Sequence, residues 1–162
     1  MRRANAQSMR SSVFFSYSHK DSKWLDKFQK MLAPLIRGGL KVWSDEQIKP
    51  GALWRDEIKA ALADAKVAVL LVTPEFLDSD FIQNKELPHL FKAAKEEGLK
   101  ILWVPIKHSL YEFTDIVDYQ AAHSPTRPLA MLKPADVSAA LVTISKAIAE
   151  AMEAKQQVYA ED

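Results

Sequence analysis

No cysteine occurs among the 162 residues. That removes disulfides, thiolate nucleophiles and cysteine-ligated zinc together, and it fits a reducing, intracellular setting, read here as cytoplasmic. Glycine is scarce, with four in all, so no loop can bring several bare backbone amides around a pyrophosphate. The phosphate loop that ends in Lys-Ser or Lys-Thr is missing, as are G-x-G-x-x-G after the first strand and the hydrolase elbow G-x-S-x-G. Charge of one sign is missing too. The net charge is +1, which gives no field to hold nucleic acid or an anionic membrane surface. The longest apolar runs, such as "VAVLLV", are too short to span a bilayer. His19, His89, His108 and His123 are scattered without ligand spacing, so no metal site is expected.

What is present is a regular alternation of strand and helix patterns. "SVFFSYS" is β-rich. After it Trp24, Leu25, Phe28, Leu32, Leu35 and Ile36 recur at helical spacing, with Asp21 or Ser22 as cap and Gly38-Gly39 as stop. "LKVWS" predicts a second strand and "DEQIKPGAL" a polar loop. Trp54, Ile58, Ala61, Leu62 and Ala65 mark a second amphipathic helix. "KVAVLLVTP" and "KILWVPI" do not alternate, so both strands are expected to be buried on both faces. Between them lies a helix opened by Ser79 and stopped by Gly98. A short helix near Phe113 to Val117 and an edge strand near Tyr119 to Ala122 follow. Val137, Leu141, Ile144, Ile148 and Met152 define the last helix. The order predicts an α/β three-layer sandwich with a parallel sheet. Residues 1–12 read as a disordered arm, 13–154 as one domain, and 155–162 as a polar tail or linker to a further domain.

In open α/β sheets ligands bind beyond the carboxyl ends of the strands. The segments there are Ser16 to Asp21, Ser44 to Gly51, Thr73 to Asp80 and Lys107 to Tyr111. They offer Ser16, Tyr17 and Ser18 after the first strand, then Trp43, Asp45 and Glu46 after the second, with Trp54 beyond the Pro-Gly turn. His19 and His108 also fall at strand ends. Aromatics beside hydrogen-bonding groups suit a flat heteroaromatic ligand with sugar hydroxyls. Trp43 and Trp54 read equally as core residues, and Trp54 reads better so because it opens a helical stripe.

One carboxylate stands out. In "SDFIQNKELPHLFKAA" Glu86 precedes Pro88 by two positions. Proline cannot donate to the carbonyl of Asn84 and crowds it, so the helix is expected to bend or restart there. Leu87, Leu90, Phe91 and Ala94 form the expected inward stripe, with Glu86 at its edge. On the residues alone, a solvated Glu86 paired with Lys85 or Lys92 is the simpler reading.

Five stretches in order carry a resemblance: "VFFSYSHKD", "VWSDEQIKPGALWRDEIKAAL", "VAVLLVTPEFLDSDFIQNKELPHLFKAA", "ILWVPIKHSLY" and "YQAAHSPTRPLAML". Together they resemble a Toll/interleukin-1 receptor (TIR) domain of the bacterial type, from about Val13 to Ala151. The resemblance implies a flavodoxin-like, five-stranded parallel sheet. Many bacterial and plant members cleave NAD+ between nicotinamide and ribose, with NAD+ as substrate and no cofactor. The family's catalytic glutamate matches Glu86. Its nucleotide site matches Ser16, Tyr17 and Ser18, then Trp43, Asp45 and the loop called BB, from Lys49 to Trp54. Some active members have an aromatic one turn before the glutamate; here that place is Ile82, with Phe81 beside it. Further expectations from the family are activation by self-assembly through the BB loop, a fused or partner sensor domain, and a role in anti-phage defence. The product would be ADP-ribose or a cyclic ADP-ribose.

One carboxylate suffices for such chemistry. Nicotinamide is a cationic leaving group that needs no acid, and its departure leaves an oxocarbenium-like ribose. A free glutamate, with a pKa near ~4.3, is charged at neutral pH. A charge at ~4 Å and an effective dielectric of ~20 contributes roughly 4 kcal/mol. The rival readings are a non-catalytic TIR–TIR interaction module and, more weakly, a phosphoacceptor receiver. A receiver needs an Asp ending the third strand, where this chain has "LLVTP".

Overall fold

The computed structural model describes residues 10–44 and 54–154. Five parallel strands form one sheet: β1 (Ser12–Ser16), β2 (Lys41–Trp43), β3 (Ala65–Val72), β4 (Lys100–Pro105) and β5 (Gln120–Ala121). Their order is β2-β1-β3-β4-β5. The helices are α1 (Ser22–Met31), α2 (Ala33–Arg37), α3 (Trp54–Asp64), α4 (Pro74–Asp78), α5 (Leu87–Glu96) and α6 (Pro134–Glu153). This is the expected flavodoxin-like α/β arrangement, with helices on both faces of a parallel sheet.

Side-chain parity divides the core. Val13, Phe15, Val67, Val69, Leu71, Leu102 and Val104 face one layer, with Leu25 and Phe28 of α1 and Ile144 and Ile148 of α6. Phe14, Ala68, Leu70, Val72, Ile101 and Trp103 face the other, with Ile58 and Leu62 of α3, Phe76 of α4 and Leu90 of α5. Successive strand residues point to opposite faces. The continuous apolar reading of β3 and β4 therefore follows from helices covering both sides.

Four expectations change. Ala65, read as the last position of the second helical stripe, opens β3 instead. The first helical stripe breaks at Leu32, and α2 carries Leu35 and Ile36 outward. Asp21 does not cap α1; its carboxylate accepts from Thr73 Oγ1 at 2.7 Å instead. Residues 10–12, read as the end of a loose arm, belong to the fold. Arg10 Nη1 donates to the carbonyls of Leu62 and Ala65, each at 2.9 Å, and its other nitrogen pairs with Glu97. The guanidinium thereby satisfies one carbonyl in the last turn of α3, that of Leu62, and the first carbonyl of β3, that of Ala65.

Helix stops fall where glycine permits them. Gly39 and Gly98 have φ of 114° and 82°, a region that L side chains avoid. After Gly98, Leu99 N–H returns to the Ala93 carbonyl at 3.3 Å and closes α5. The weakly patterned segment after β4 folds as two 3-10 turns, Tyr111–Phe113 and Asp115–Asp118, leading into β5. Among the described residues no helix is long and apolar enough to cross a membrane.

Candidate functional site

The chain leaves β1 to one side to make β2, then returns past β1 to make β3. The ends of β1 and β3 are thus the switch point, where such sheets open a crevice. Ser16 is the last residue of β1 and pairs in register with Leu70 of β3. It shares parity with Phe14, so its hydroxyl enters the layer built by α3, α4 and α5.

Glu86 meets it there. Its carboxylate is 0% exposed, and Ser16 Oγ donates to Glu86 Oε1 at 2.6 Å. The solvated reading of Glu86 is overturned. Burying a carboxylate is costly unless donors meet it, and a short hydroxyl–carboxylate bond is the strong kind.

The backbone explains how Glu86 reaches that position. Ile82–Glu86 forms a π-helical turn, and Leu87 N–H bonds the carbonyl of Ile82, five residues back. Pro88 follows in the first turn of α5. Its missing N–H and its crowding of the carbonyl four residues earlier favour a widened turn at this place. The widening puts Ile82, Glu86 and Leu87 all in the interior. An ideal helix spreads positions 82 and 87 by about 140°, since each residue advances about 100°.

A second network braces the turn. Thr73 Oγ1 donates to Asp21 Oδ2 at 2.7 Å and accepts from Phe76 N–H at 3.0 Å, capping α4. Gln83 Nε2, inside the π turn, donates to the Phe76 carbonyl at 3.3 Å. Lys107 Nζ stands 3.8 Å from Asp21 Oδ1 and 3.7 Å from Glu75 Oε1. The Glu75 carboxyl lies below its ordinary range through a bond from its own backbone amide, against a smaller opposing effect of burial, and through the Lys107 charge. A continuous set of bonds therefore links the loop after β1 to the turn bearing Glu86.

A family model described as the TIR domain matches residues 13–138. The chain belongs to the TIR-domain family. A protein of Sinorhizobium fredii named as the uncharacterized protein y4lF is 25% identical over 141 residues, 86% of this chain and 43% of the relative. The chain thus spans less than half the length of that protein. Among solved structures, the crystal structure of the TIR domain of the Toll-related receptor TRR-2 from Hydra magnipapillata matches with a TM-score of 0.47 and 15% identity. It covers 67% of this chain and 82% of that one.

The TIR fold does not gather all the residues singled out from the sequence. Ser16 and Glu86 are joined. Tyr17 has the opposite parity and lies in the α1/α6 layer, its ring 5.8 Å from that of His19. Ser18 caps the 3-10 turn His19–Asp21 by accepting from Lys20 N–H at 3.3 Å. Trp43 and Phe81 are half-buried against the α3/α5 layer, and Ile82 is a core residue of it. Asp45, Lys49 and the side chain of Trp54 lie outside the described residues.

Thr73, Gln83 and Lys107 were not picked out as site residues. Thr73 did carry a readable signal. A threonine directly before Pro74 is a helix-start signature, with the cap at Thr73 and proline at the first helical position. It marks α4, which the sequence reading merged into the loop before Ser79.

Proposed function

We propose that this TIR domain is an NAD+ nucleosidase with Glu86 as its catalytic carboxylate. The observation that carries this reading is the Glu86 carboxylate held by Ser16 at the β1/β3 switch point. Kinship supports it, because the TIR family includes NAD+-cleaving enzymes.

In the proposed reaction the C–N bond between ribose and nicotinamide breaks, and its electron pair leaves with the now neutral base. Positive charge develops on the ribose ring and is stabilised by Glu86. Water then adds to the anomeric carbon and loses a proton, giving ADP-ribose; attack by the adenine base would give a cyclic product. The carboxylate's contribution is electrostatic and lies on the scale that yields large rate effects. Ser16 fixes one carboxylate oxygen and acts as a positioning residue. Trp43, Asp45, Phe81 and the BB-loop residues Lys49 and Trp54 are proposed to hold the nucleotide, with Tyr17 and Ser18 shaping the loop after β1.

The domain is further proposed to work as an assembly of TIR domains, clustered by a fused or partner sensor domain, with anti-phage defence as the setting. Activity should then rise more steeply than linearly with protein concentration.

One observation favours a second reading, a TIR–TIR interaction module without catalysis. Glu86 is closed to solvent, as a purely structural carboxylate would be. The experiment that separates the two is incubation of concentrated protein with NAD+ and assay of free nicotinamide, alongside Glu86→Gln. Release by the wild type that is lost in the variant supports the enzyme. No release at any concentration supports the module.

A further inference from the structure

With four glycines in the chain, a phosphate group here has to be met by side-chain cations rather than by bare backbone. Two lysines stand where ligands enter such sheets. Lys107 follows β4, and the Val72 carbonyl at the end of β3 accepts from Ile106 N–H at 3.0 Å and from Lys107 N–H at 3.4 Å. Its backbone is thereby pinned at the carboxyl ends of two inner strands. Lys20 lies in the 3-10 turn that follows β1.

Lys107 Nζ is poised between two carboxylates and bonded closely to neither. Its separations of 3.8 Å from Asp21 Oδ1 and 3.7 Å from Glu75 Oε1 exceed hydrogen-bond length. The side chain is 42% exposed, so its N–H donors remain open to a further acceptor. The two carboxylates are not equivalent. Asp21 is 3% exposed, and its other oxygen is held by Thr73 at 2.7 Å. It is a fixed counter-ion. Glu75 lies in the first turn of α4 with its side chain 36% exposed. Its Oε1 is shielded from water and accepts no hydrogen bond. An oxygen so placed has lost hydration and gained no donor, which makes Glu75 the more weakly held of the two. Lys20 acts on the same carboxylate through its charge and makes no ion pair among the described residues. Two ammonium groups thus converge on one loosely held anion.

We propose that Lys107 and Lys20 form a subsite for a phosphate or pyrophosphate group, and that Glu75 is its built-in competitor, filling the subsite until that group displaces it. A phosphate group brings more charge and more acceptor oxygens than a carboxylate, and lysine meets it as a point charge. Asp21 stays in place and aims Lys107. Bonds from Asp21 to Thr73, from Thr73 to Phe76 and from Phe76 to Gln83 connect the subsite to the turn bearing Glu86. The same chemistry serves free pyrophosphate and the pyrophosphate of a dinucleotide. The second case rests on the NAD+ reading above; the first does not.

The test is calorimetric titration of the full chain with inorganic pyrophosphate at neutral pH. Lys107→Ala should weaken binding by about tenfold or more, and Lys20→Ala by less. Glu75→Gln should tighten it by about threefold, because the competitor loses its charge. The opposite signs separate binding from damage to the fold, which would weaken every variant; urea denaturation of each verifies folding. A parallel titration with NAD+, on Glu86→Gln to prevent turnover, identifies the source. The same opposite responses there assign the subsite to the dinucleotide, and responses with pyrophosphate alone assign it to free pyrophosphate. The proposal is overturned if neither wild type nor Glu75→Gln binds pyrophosphate at millimolar concentration, if Lys107→Ala binds as well as wild type, or if Glu75→Gln binds no better. Those results leave the catalytic reading standing, since that reading is decided by nicotinamide release, and absence of nicotinamide release leaves pyrophosphate binding standing in turn.

Discussion

Ser16, the last residue of β1, donates its hydroxyl to the buried carboxylate of Glu86 at 2.6 Å across 70 positions of chain. The bond ties the sheet's switch point to the π-helical turn Ile82–Glu86. A buried hydrogen bond to a charged group contributes about 1.5–3 kcal/mol. Ser16→Ala should therefore lower unfolding free energy by about 2 kcal/mol in urea denaturation. Glu86→Gln keeps an oxygen acceptor for Ser16 and should change stability by less than about 1 kcal/mol.

The turn itself can be tested at Pro88. Pro88→Ala supplies the backbone N–H that proline lacks and removes the crowding of the carbonyl four residues back. The expected outcome is a melting temperature equal to or above that of wild type, with nicotinamide release reduced by about tenfold or more as the turn regularises and Glu86 shifts, since small misplacements of a reacting group cost on this order. A variant that keeps both full stability and full turnover would detach the turn from the activity.

Thr73 offers a separable probe of the bracing network. Its hydroxyl both donates to Asp21 and caps α4. Thr73→Val preserves shape but removes both bonds, and should cost about 1–3 kcal/mol in urea denaturation. Thr73→Ser should restore most of the loss. If valine is tolerated as well as serine, the network is not holding the β1 and β3 loops together.

The Glu75–Lys107 contact carries a pH signature. The Glu75 carboxyl titrates below its ordinary value of 4.5. A carboxyl depressed in the folded state adds stability above its unfolded value, and that stability is lost as pH falls through the folded value. Glu75→Gln should therefore flatten the wild-type loss of stability below about pH 4.5; the check is chemical denaturation from pH 3 to 7. Because the Glu75 side chain is still 36% exposed, the effect should be small.

The sheet was legible because β3 and β4 are covered on both faces and read as unbroken apolar runs, and because glycines stop α2 and α5 where left-handed backbone is needed. The disturbance near Glu86 was also legible, since proline chemistry forces it. Its form was not. Whether a proline kinks, restarts or widens a helix depends on the tertiary partners offered, here a buried Ser16 hydroxyl contributed by a distant strand. Asp21 looked like a helix cap from its local sequence but is turned to Thr73 in the folded chain. The same lesson holds for Leu35 and Ile36. Their helical spacing promised burial, yet α1 breaks at Leu32 and leaves them outside. Tyr17 could be assigned to the loop after β1, whereas its side of the sheet follows only from the strand's parity relative to Phe14.

The most direct test of the proposed catalysis is nicotinamide release from NAD+ by the purified, concentrated domain, measured for wild type and Glu86→Gln at matched stability. The account predicts release by wild type and a loss of at least about a thousandfold in the variant, the scale for removing a principal electrostatic stabiliser. Equal release by the two proteins would contradict it.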